Sequence, residues 1–243
     1  MLVKALKTRL FLENENLTNF IIENLPTLAD DSILIITSKI VALAEGRTVT
    51  TNDQVTREKY IKLESDFALE TKYTWLTIKD GTVMAAAGID ASNANGKLIL
   101  LPTNSFVSAA TVREKLLAQY NLKNLGIIIT DSRTIPLRRG VTGMATGYAG
   151  FKGLKTYTDK TDIFDRPFEY TNVNVADSLA AAAVYEMGEG NEQQPLAIIT
   201  DTTVEFCDQT DPEEIKISLE DDMYAPLFKA LWGSWQSSFY NLR

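Results

Sequence analysis

Three carboxylates in this chain stand just past regular elements, where side chains face ligand. Asp90 lies in A-G-I-D-A-S-N, Asp131 follows the apolar run Leu125–Thr130, and Glu189 sits in M-G-E-G behind a long helical pattern. Carboxylate oxygens bind hard cations such as Mg²⁺ and Mn²⁺, which share the rest of their shell with substrate phosphates. Open sheets place ligands at strand ends. The negative end of the helix before Glu189 favours a cation over a bare phosphate. Each acid is also what an ordinary turn or cap looks like, and spacing alone does not bring the three together. The glycines of Met187-Gly188-Glu189-Gly190 would let backbone N–H groups approach a phosphate chain, although the pattern is neither a P-loop nor G-x-G-x-x-G. Arg138 and Arg139 are candidates for holding an anionic substrate group, because a guanidinium pairs with phosphate or carboxylate in a fork, or are simply ordinary surface charge. Lys39, after a buried strand, is a candidate phosphate-neutralising lysine or simply a solvated strand end.

Composition narrows the chemistry. Among 243 residues there is no histidine. That excludes Ser-His-Asp and Cys-His catalysis, His-ligated zinc and a histidine base. Acid–base work falls to Asp, Glu, Lys, Tyr or metal-bound water. The single cysteine, Cys207, forms no internal disulfide, which suits a reducing compartment. Its acidic neighbours Glu205 and Asp208 would raise its pKa, so it is a poor nucleophile. The balance of 24 Lys and Arg against 32 Asp and Glu gives −8, which argues against gripping nucleic acid. The N-terminal Leu10-Phe11-Leu12 is followed by Glu13-Asn14-Glu15, too short for a signal peptide. No run approaches the roughly 18 apolar residues of a membrane span. The expectation is a cytoplasmic protein with neither a nucleic-acid nor a membrane partner.

The elements that must position these residues follow from periodicity. Ser32–Thr37 and Leu125–Thr130 read as buried strands, with a third at Pro195–Thr200. Trp75–Lys79 and Val83–Ala87 read as a hairpin about Asp80-Gly81, and Lys97–Leu101 as a strand ended by Pro102. Asp53–Leu69 reads as a helix. Thr111 and Glu114 fit a capping box, so a helix is expected to start there. Val141–Gly153, with four glycines, reads as loop and close backbone approach. Asn174–Met187 is the best helix, with Asn174 as N-cap, Asp177 in the first turn and Gly188 at C′. Asp222–Phe239 reads as an amphipathic helix with Leu227, Leu231 and Trp235 aligned. Strands and helices mix without clean alternation, so the class is α+β with mixed sheets and packed helices. The expectation is a single domain over residues 1–243, with two lobes as the alternative.

Taken together, the motifs carry more than any one of them. S-K-I-V-A-L-A-E-G-R (Ser38 to Arg47), A-G-I-D-A-S-N (Ala87 to Asn93), I-I-T-D-S (Ile128 to Ser132), R-R-G-V-T-G-M-A-T-G-Y-A-G (Arg138 to Gly150), D-I-F-D-R (Asp162 to Arg166) and V-A-D-S-L-A-A-A-A-x-x-x-M-G-E-G (Val175 to Gly190) occur in this order. The string resembles the coenzyme F420-0:γ-glutamyl ligase family over roughly Lys4 to Thr200. The resemblance implies an α+β fold in an intertwined homodimer. It implies γ-linked ligation of L-glutamate to a terminal carboxylate, with GTP (or ATP) and two divalent metals, Mg²⁺ or Mn²⁺. A monovalent cation is a further candidate. Asp90 and Asp131 correspond to ligands of one metal, Ser132 and Glu189 to ligands of the second. Asn93 matches a nucleotide contact. Met187, Gly188, Glu189, Gly190, Asn191, Glu192, Gln193 and Gln194 match the nucleotide-cradling segment. Thr8, Arg9, Leu10 and Phe11, with Ser38 and Lys39, lie where the family touches nucleotide.

The chain also departs from the family. Leu43 stands where the family usually has Lys. Thr134-Ile135 replaces a Gly-Arg pair after Asp131-Ser132, with Arg133 as a substitute two positions early. Asp165 replaces the usual Gly before Arg166. The acceptor side is therefore changed more than the metal side. A deazaflavin coenzyme precursor is the first acceptor expected, a folate the alternative. A non-catalytic nucleotide- or metal-binding relative is the third reading. The base that deprotonates the incoming amine is not assigned.

Overall fold

The continuous apolar runs of the sequence form the middle of one mixed sheet. The computed structural model describes residues 1–50 and 53–233. In chain order the first elements are β1 (Leu2–Leu6), α1 (Leu17–Asn24), β2 (Ser32–Thr37), α2 (Ser38–Ala44), β3 (Thr48–Val49), α3 (Gln54–Leu63), β4 (Phe67–Glu70), β5 (Trp75–Lys79), β6 (Thr82–Ala85) and β7 (Leu98–Ile99). There follow α4 (Ser105–Tyr120), β8 (Leu125–Thr134), β9 (Val141–Ala149), β10 (Leu154–Thr156), β11 (Asn172–Asn174), α5 (Val175–Met187), β12 (Leu196–Thr200) and α6 (Ala225–Gly233). The central sheet has the order β1-β12-β2-β8-β9, and the small sheets are β3-β7, β4-β5-β6 and β10-β11. In the central sheet only β2 and β8 run parallel. The class is α+β with mixed sheets, as the mixed periodicities imply.

Both faces of this sheet are covered, which is why β2 and β8 read as unbroken apolar runs and not as alternation. Leu34, Ile36, Ile127 and Ile129 pack with Phe20, Ile40, Val112 and Leu116, and so against α1, α2 and α4. Ile33, Ile35, Ile128 and Ile199 pack with Leu179, Ala183 and Met187 of α5. Each fully buried Ile, Leu or Phe side chain among them contributes about 1.5–3 kcal/mol. The helix α5 starts and ends where its sequence says. Asn174 accepts from the Asp177 N–H at 2.9 Å, and Gly188 closes the helix with φ 81°.

Four local expectations change. The helix after Asp53 stops at Leu63, and Phe67–Leu69 belongs to β4, where it pairs with β5. The helix expected from Thr111 begins at Ser105, because the Asn104 side chain already caps the Val107 N–H at 3.0 Å. The strand expected to stop at Thr130 runs on to Thr134, so Asp131 and Ser132 are strand residues paired with Met144 and Gly143. Their partner, Val141–Ala149, is itself a strand and not a loop. Its glycines serve close packing: a Cβ on Gly143 would sit 2.5 Å from the Ala180 carbonyl of α5, and one on Gly147 2.4 Å from the Ser105 backbone. The C-terminal helix is described to Gly233; Trp235 and Phe239 lie outside the described residues. Among those residues no helix is long and apolar enough to cross a membrane.

Candidate functional site

The parallel pair β2 and β8 sets the site. Thr37 pairs with Thr130 at the carboxyl ends of these strands, the place where a sheet presents residues to ligand. From Thr37 the chain passes straight into α2, which puts Ser38 and Lys39 beside Asp131. The β8–β9 register shifts between Ile129 and Thr130, where Thr146 of β9 is the extra residue, so the irregularity lies on β9 opposite the end of β8.

Asp90 reaches the same place through a strained turn. Ala86, Ala87 and Gly88 all have left-handed backbones, with φ of 52°, 54° and 71°. For an alanine that conformation costs about 1–2 kcal/mol. Buried contacts hold it: the Ala87 N–H donates to Thr77 Oγ1 at 2.8 Å, and Thr77 Oγ1 donates to the Met84 carbonyl at 2.8 Å. Asp90 is then fixed by two backbone bonds with Ile99, of 3.0 and 2.8 Å. The segment after α5 closes the site from the other side. The Thr8 N–H donates to the Gln193 carbonyl at 2.9 Å, and the Thr37 N–H to the Pro195 carbonyl at 3.0 Å.

The result is a cleft of about 430 Å³. Its lining includes Asp90, Asp131, Ser132 and Glu189, the N-terminal Thr8 to Phe11, Ser38, Lys39, Asn93, and the whole of Met187 to Gln194. All the candidate metal and nucleotide residues of the sequence are thus on one surface. Arg138 and Arg139 are not: they lie in the exposed β8–β9 connection, outside this lining. Thr37, Ile40, Gly88, Thr130 and Val184 also line the cleft; they flank motif residues in sequence, which is the signal that points to them. Leu43 lines it too, so the departure at this position faces the cleft.

Polar contacts tie the walls together. Lys39 Nζ donates to Asp90 Oδ2 at 2.7 Å. Ser132 Oγ donates to Glu189 Oε1 at 2.6 Å. Asn93 Nδ2 donates to the Gly190 carbonyl at 3.1 Å, and the Gly190 N–H to Glu192 Oε2 at 2.8 Å. Burial pushes the Asp131 carboxyl up to about 7, and the negative charges of Asp90 and Glu189 push the same way against the Ser132 N–H and Lys39. Burial also acts on Asp90, but the hydrogen bonds from Lys39 and Ser92 outweigh it and hold that carboxyl below its ordinary range. Among the described residues no three Asp, Glu or Cys side chains gather closely enough to hold one ion. The donors are nonetheless all hard oxygens around an electrostatically frustrated carboxylate. That chemistry fits Mg²⁺ or Mn²⁺, because a divalent charge relieves the repulsion between the acids.

Two further candidates resolve. Arg133 turns to α5: its guanidinium donates to Asp177 Oδ2 at 2.9 Å, while Asp177 Oδ1 accepts the Ala145 N–H at 2.9 Å. The helix-start aspartate thus anchors β9 and withdraws Arg133 from the cleft. The Cys207 thiol is pushed up chiefly by burial, with Glu214 adding to it, so the acidic neighbours in sequence are not the main cause. Cys207 is also absent from the cleft lining.

Comparison with known proteins agrees with the motif string. The profile of the family described as F420-0:Gamma-glutamyl ligase matches residues 5–78 and 64–201. A Coenzyme F420:L-glutamate ligase of Methanococcus maripaludis is 41% identical over 143 residues, which is 59% of this chain and 57% of that protein. A protein of the same name from another Methanococcus maripaludis strain is 30% identical over 242 residues, covering 91% of this chain and 96% of its own length. One from Archaeoglobus fulgidus is 31% identical over 212 residues, covering 80% and 84%.

Proposed function

The chain belongs to the F420-0:γ-glutamyl ligase family, and from that premise we propose that it is a ligase joining L-glutamate by an amide to the terminal carboxylate of a deazaflavin coenzyme precursor. The observation that supports this most is the single cleft that collects Asp90, Asp131, Ser132, Glu189 and the Met187–Gln194 segment. We propose GTP, or ATP, as the co-substrate and two divalent ions as cofactors. Asp90 and Asp131 would hold one ion, Ser132 and Glu189 the other; when bound, the ions neutralise phosphate charge and the charge that develops in transfer.

The reaction then runs as follows. An oxygen of the acceptor carboxylate attacks the γ-phosphorus, the bond to the bridging oxygen breaks, and an acyl phosphate and nucleoside diphosphate result. The amine of glutamate attacks the acyl carbon, inorganic phosphate leaves, and the amine gives up its proton. The glycines at 188 and 190 let the backbone lie close to a phosphate chain, and Asn93 holds that loop through Gly190. Phe11, Ile40 and Leu43 supply an apolar wall. The absence of histidine is no obstacle, since positioning and electrostatics do most of the work in phosphoryl transfer. The direct test is mass spectrometry of acceptor incubated with nucleotide, Mg²⁺ or Mn²⁺ and glutamate. A gain of one or more glutamyl units on the deazaflavin precursor supports the reading. Nucleotide binding without any ligation on either acceptor would leave the non-catalytic relative as the correct one.

The folate reading keeps one supporting observation. Arg133 is committed to Asp177, and Arg138 and Arg139 lie outside the cleft, so no arginine of the β8 tip faces it to pair with an acceptor phosphodiester. A lost Arg–phosphate pair costs about 1.5–3 kcal/mol, or about one to two powers of ten in affinity. With both acceptors at equal concentration, the deazaflavin precursor is expected to be used first, and Arg133→Ala to leave that preference unchanged. Preference of the wild type for folate would reverse the assignment.

A homodimer is also proposed. Leu137 and Val141 at the β8–β9 end, and Phe164 and Tyr170 in the β10–β11 connection, are exposed large side chains, the kind of apolar surface a second copy buries. Light scattering at micromolar concentration is expected to give twice the 27.0 kDa chain mass; a monomer mass would refute the dimer.

A further inference from the structure

We propose that Lys39 is a built-in cation of the cleft that competes with the divalent ion for Asp90, and that the displaced ammonium then pairs with the phosphate arriving with that ion. The inference rests on the metal- and nucleotide-dependent reading above. Lys39 Nζ has three acceptors, all from one short segment: Asp90 Oδ2 at 2.7 Å, the Ser92 carbonyl at 3.0 Å and Ser92 Oγ at 3.2 Å. Asp90 Oδ2 carries a second bond in turn, from Ser92 Oγ at 2.7 Å, and Oδ1 accepts from the Ser92 N–H at 2.7 Å. An ion that takes Asp90 Oδ2 at about 2.1 Å must therefore expel the ammonium from that oxygen, which already accepts two hydrogen bonds.

Charge points the same way. Four carboxylates, Asp90, Asp131, Glu189 and Glu192, line the cleft with two Lys or Arg side chains, Arg9 and Lys39. Arg9 is committed to Glu15 and Glu23. Lys39 is thus the cation that balances the acids, and its field reaches Asp131 as well as Asp90. Lys39 is the second residue of α2, so its stem stays tethered at the cleft while the ammonium swings. A divalent ion by itself pays for displacing Lys39. An ion that brings a phosphate gives the lysine a new partner. The lysine thereby makes ion and nucleotide bind cooperatively, a coupling that is reciprocal by linkage.

The test uses the whole chain, treated with chelator, and Mn²⁺ as probe, followed by the electron paramagnetic resonance of the free ion. Wild type, Lys39→Met and Lys39→Gln are compared. Both variants are expected to bind Mn²⁺ alone about tenfold tighter than wild type, and to bind GTP in saturating Mn²⁺ about tenfold weaker. The opposite signs are the signature, since a lysine that merely supported the fold would weaken both. Circular dichroism identifies the folded variants, and the Gln side chain, which keeps a donor for Ser92, guards against loss of the Met variant. Folded variants that bind Mn²⁺ alone no more tightly than wild type overturn the exchange while leaving the ligase reading intact. Wild type that takes up no Mn²⁺ even with GTP overturns the metal reading and the exchange with it.

Discussion

Asp131→Asn is expected to lower turnover on the order of 10³-fold, because on the proposed two-metal reading several kcal/mol of stabilisation by the ions would depend on that carboxylate. The substitution keeps the shape and removes the charge. Mg²⁺ or Mn²⁺ with nucleotide should raise the melting temperature of wild type by binding the folded state, and most of that rise should vanish in the variant. A pH effect separates this from general damage. In the folded, metal-free protein the Asp131 carboxyl is pushed up to about 7 from an ordinary 3.8. The folded state then holds the proton more tightly than the unfolded chain. This contribution is fully present below about pH 3.8, and is lost as pH rises through about 7. Asparagine has no proton to lose, so the variant should lack that part of the decline. Thermal melts from pH 4 to 8 in chelator, and steady-state rates with metal, check both. Normal activity in the variant would sink the two-metal proposal.

The largest effect on stability is expected at Gly150, where β9 hands the chain to the C-terminal third. Its φ is +91°, and a Cβ there would lie 2.1 Å from the Leu125 carbonyl and 2.4 Å from Arg113 Nε. That carbonyl already accepts from Arg113 Nε at 2.9 Å in the core, so neither atom yields easily. Gly150 also donates its N–H to Thr210 Oγ1 at 3.0 Å and accepts the Cys207 N–H at 3.0 Å. Gly150→Ala combines a disfavoured backbone with overpacking against main chain, a cost of about 3 kcal/mol or more. For a chain of this size that is a fall of about 6–12 °C in melting temperature. A calorimetric scan showing a fall under 2 °C would mean that the backbone here relaxes as the packing says it cannot.

Much of the candidate site could be read in the residues. Asp90, Asp131, Glu189 and the glycines of Met187–Gly190 stood out because acidic and glycine-flanked residues after regular elements are where chemistry is placed, whereas Ser132 and the rest of the Met187–Gln194 segment came from the family resemblance alone. The structure puts them all in one cleft. Arg138 and Arg139 were candidates for an anion clamp and read equally as ordinary surface charge, since a doubled arginine before a glycine carries the same chemistry wherever it lies. Only the path of the chain beyond β8 sends them to an exposed connection.

The sequence by itself determined the local elements whose signals are local. The buried strands β2, β8 and β12 come from continuous apolar runs, and the hairpin at Asp80-Gly81 from a turn that favours positive φ. The helix α5 comes from one apolar face between an Asn cap and a glycine stop. Tertiary structure decided what depends on partners distant in the chain. Val141–Ala149 is a strand because Gly143 and Gly147 let α5 and the start of α4 press against it, and glycine content alone cannot distinguish that from a loop. Ala86 and Ala87 hold left-handed backbones that no local preference favours, because Thr77 and the packing around them make up the cost. Lys39 meets Asp90 across 51 positions of sequence. That pairing is set by where the end of β2 meets the turn that carries Asp90, which spacing in the chain does not encode.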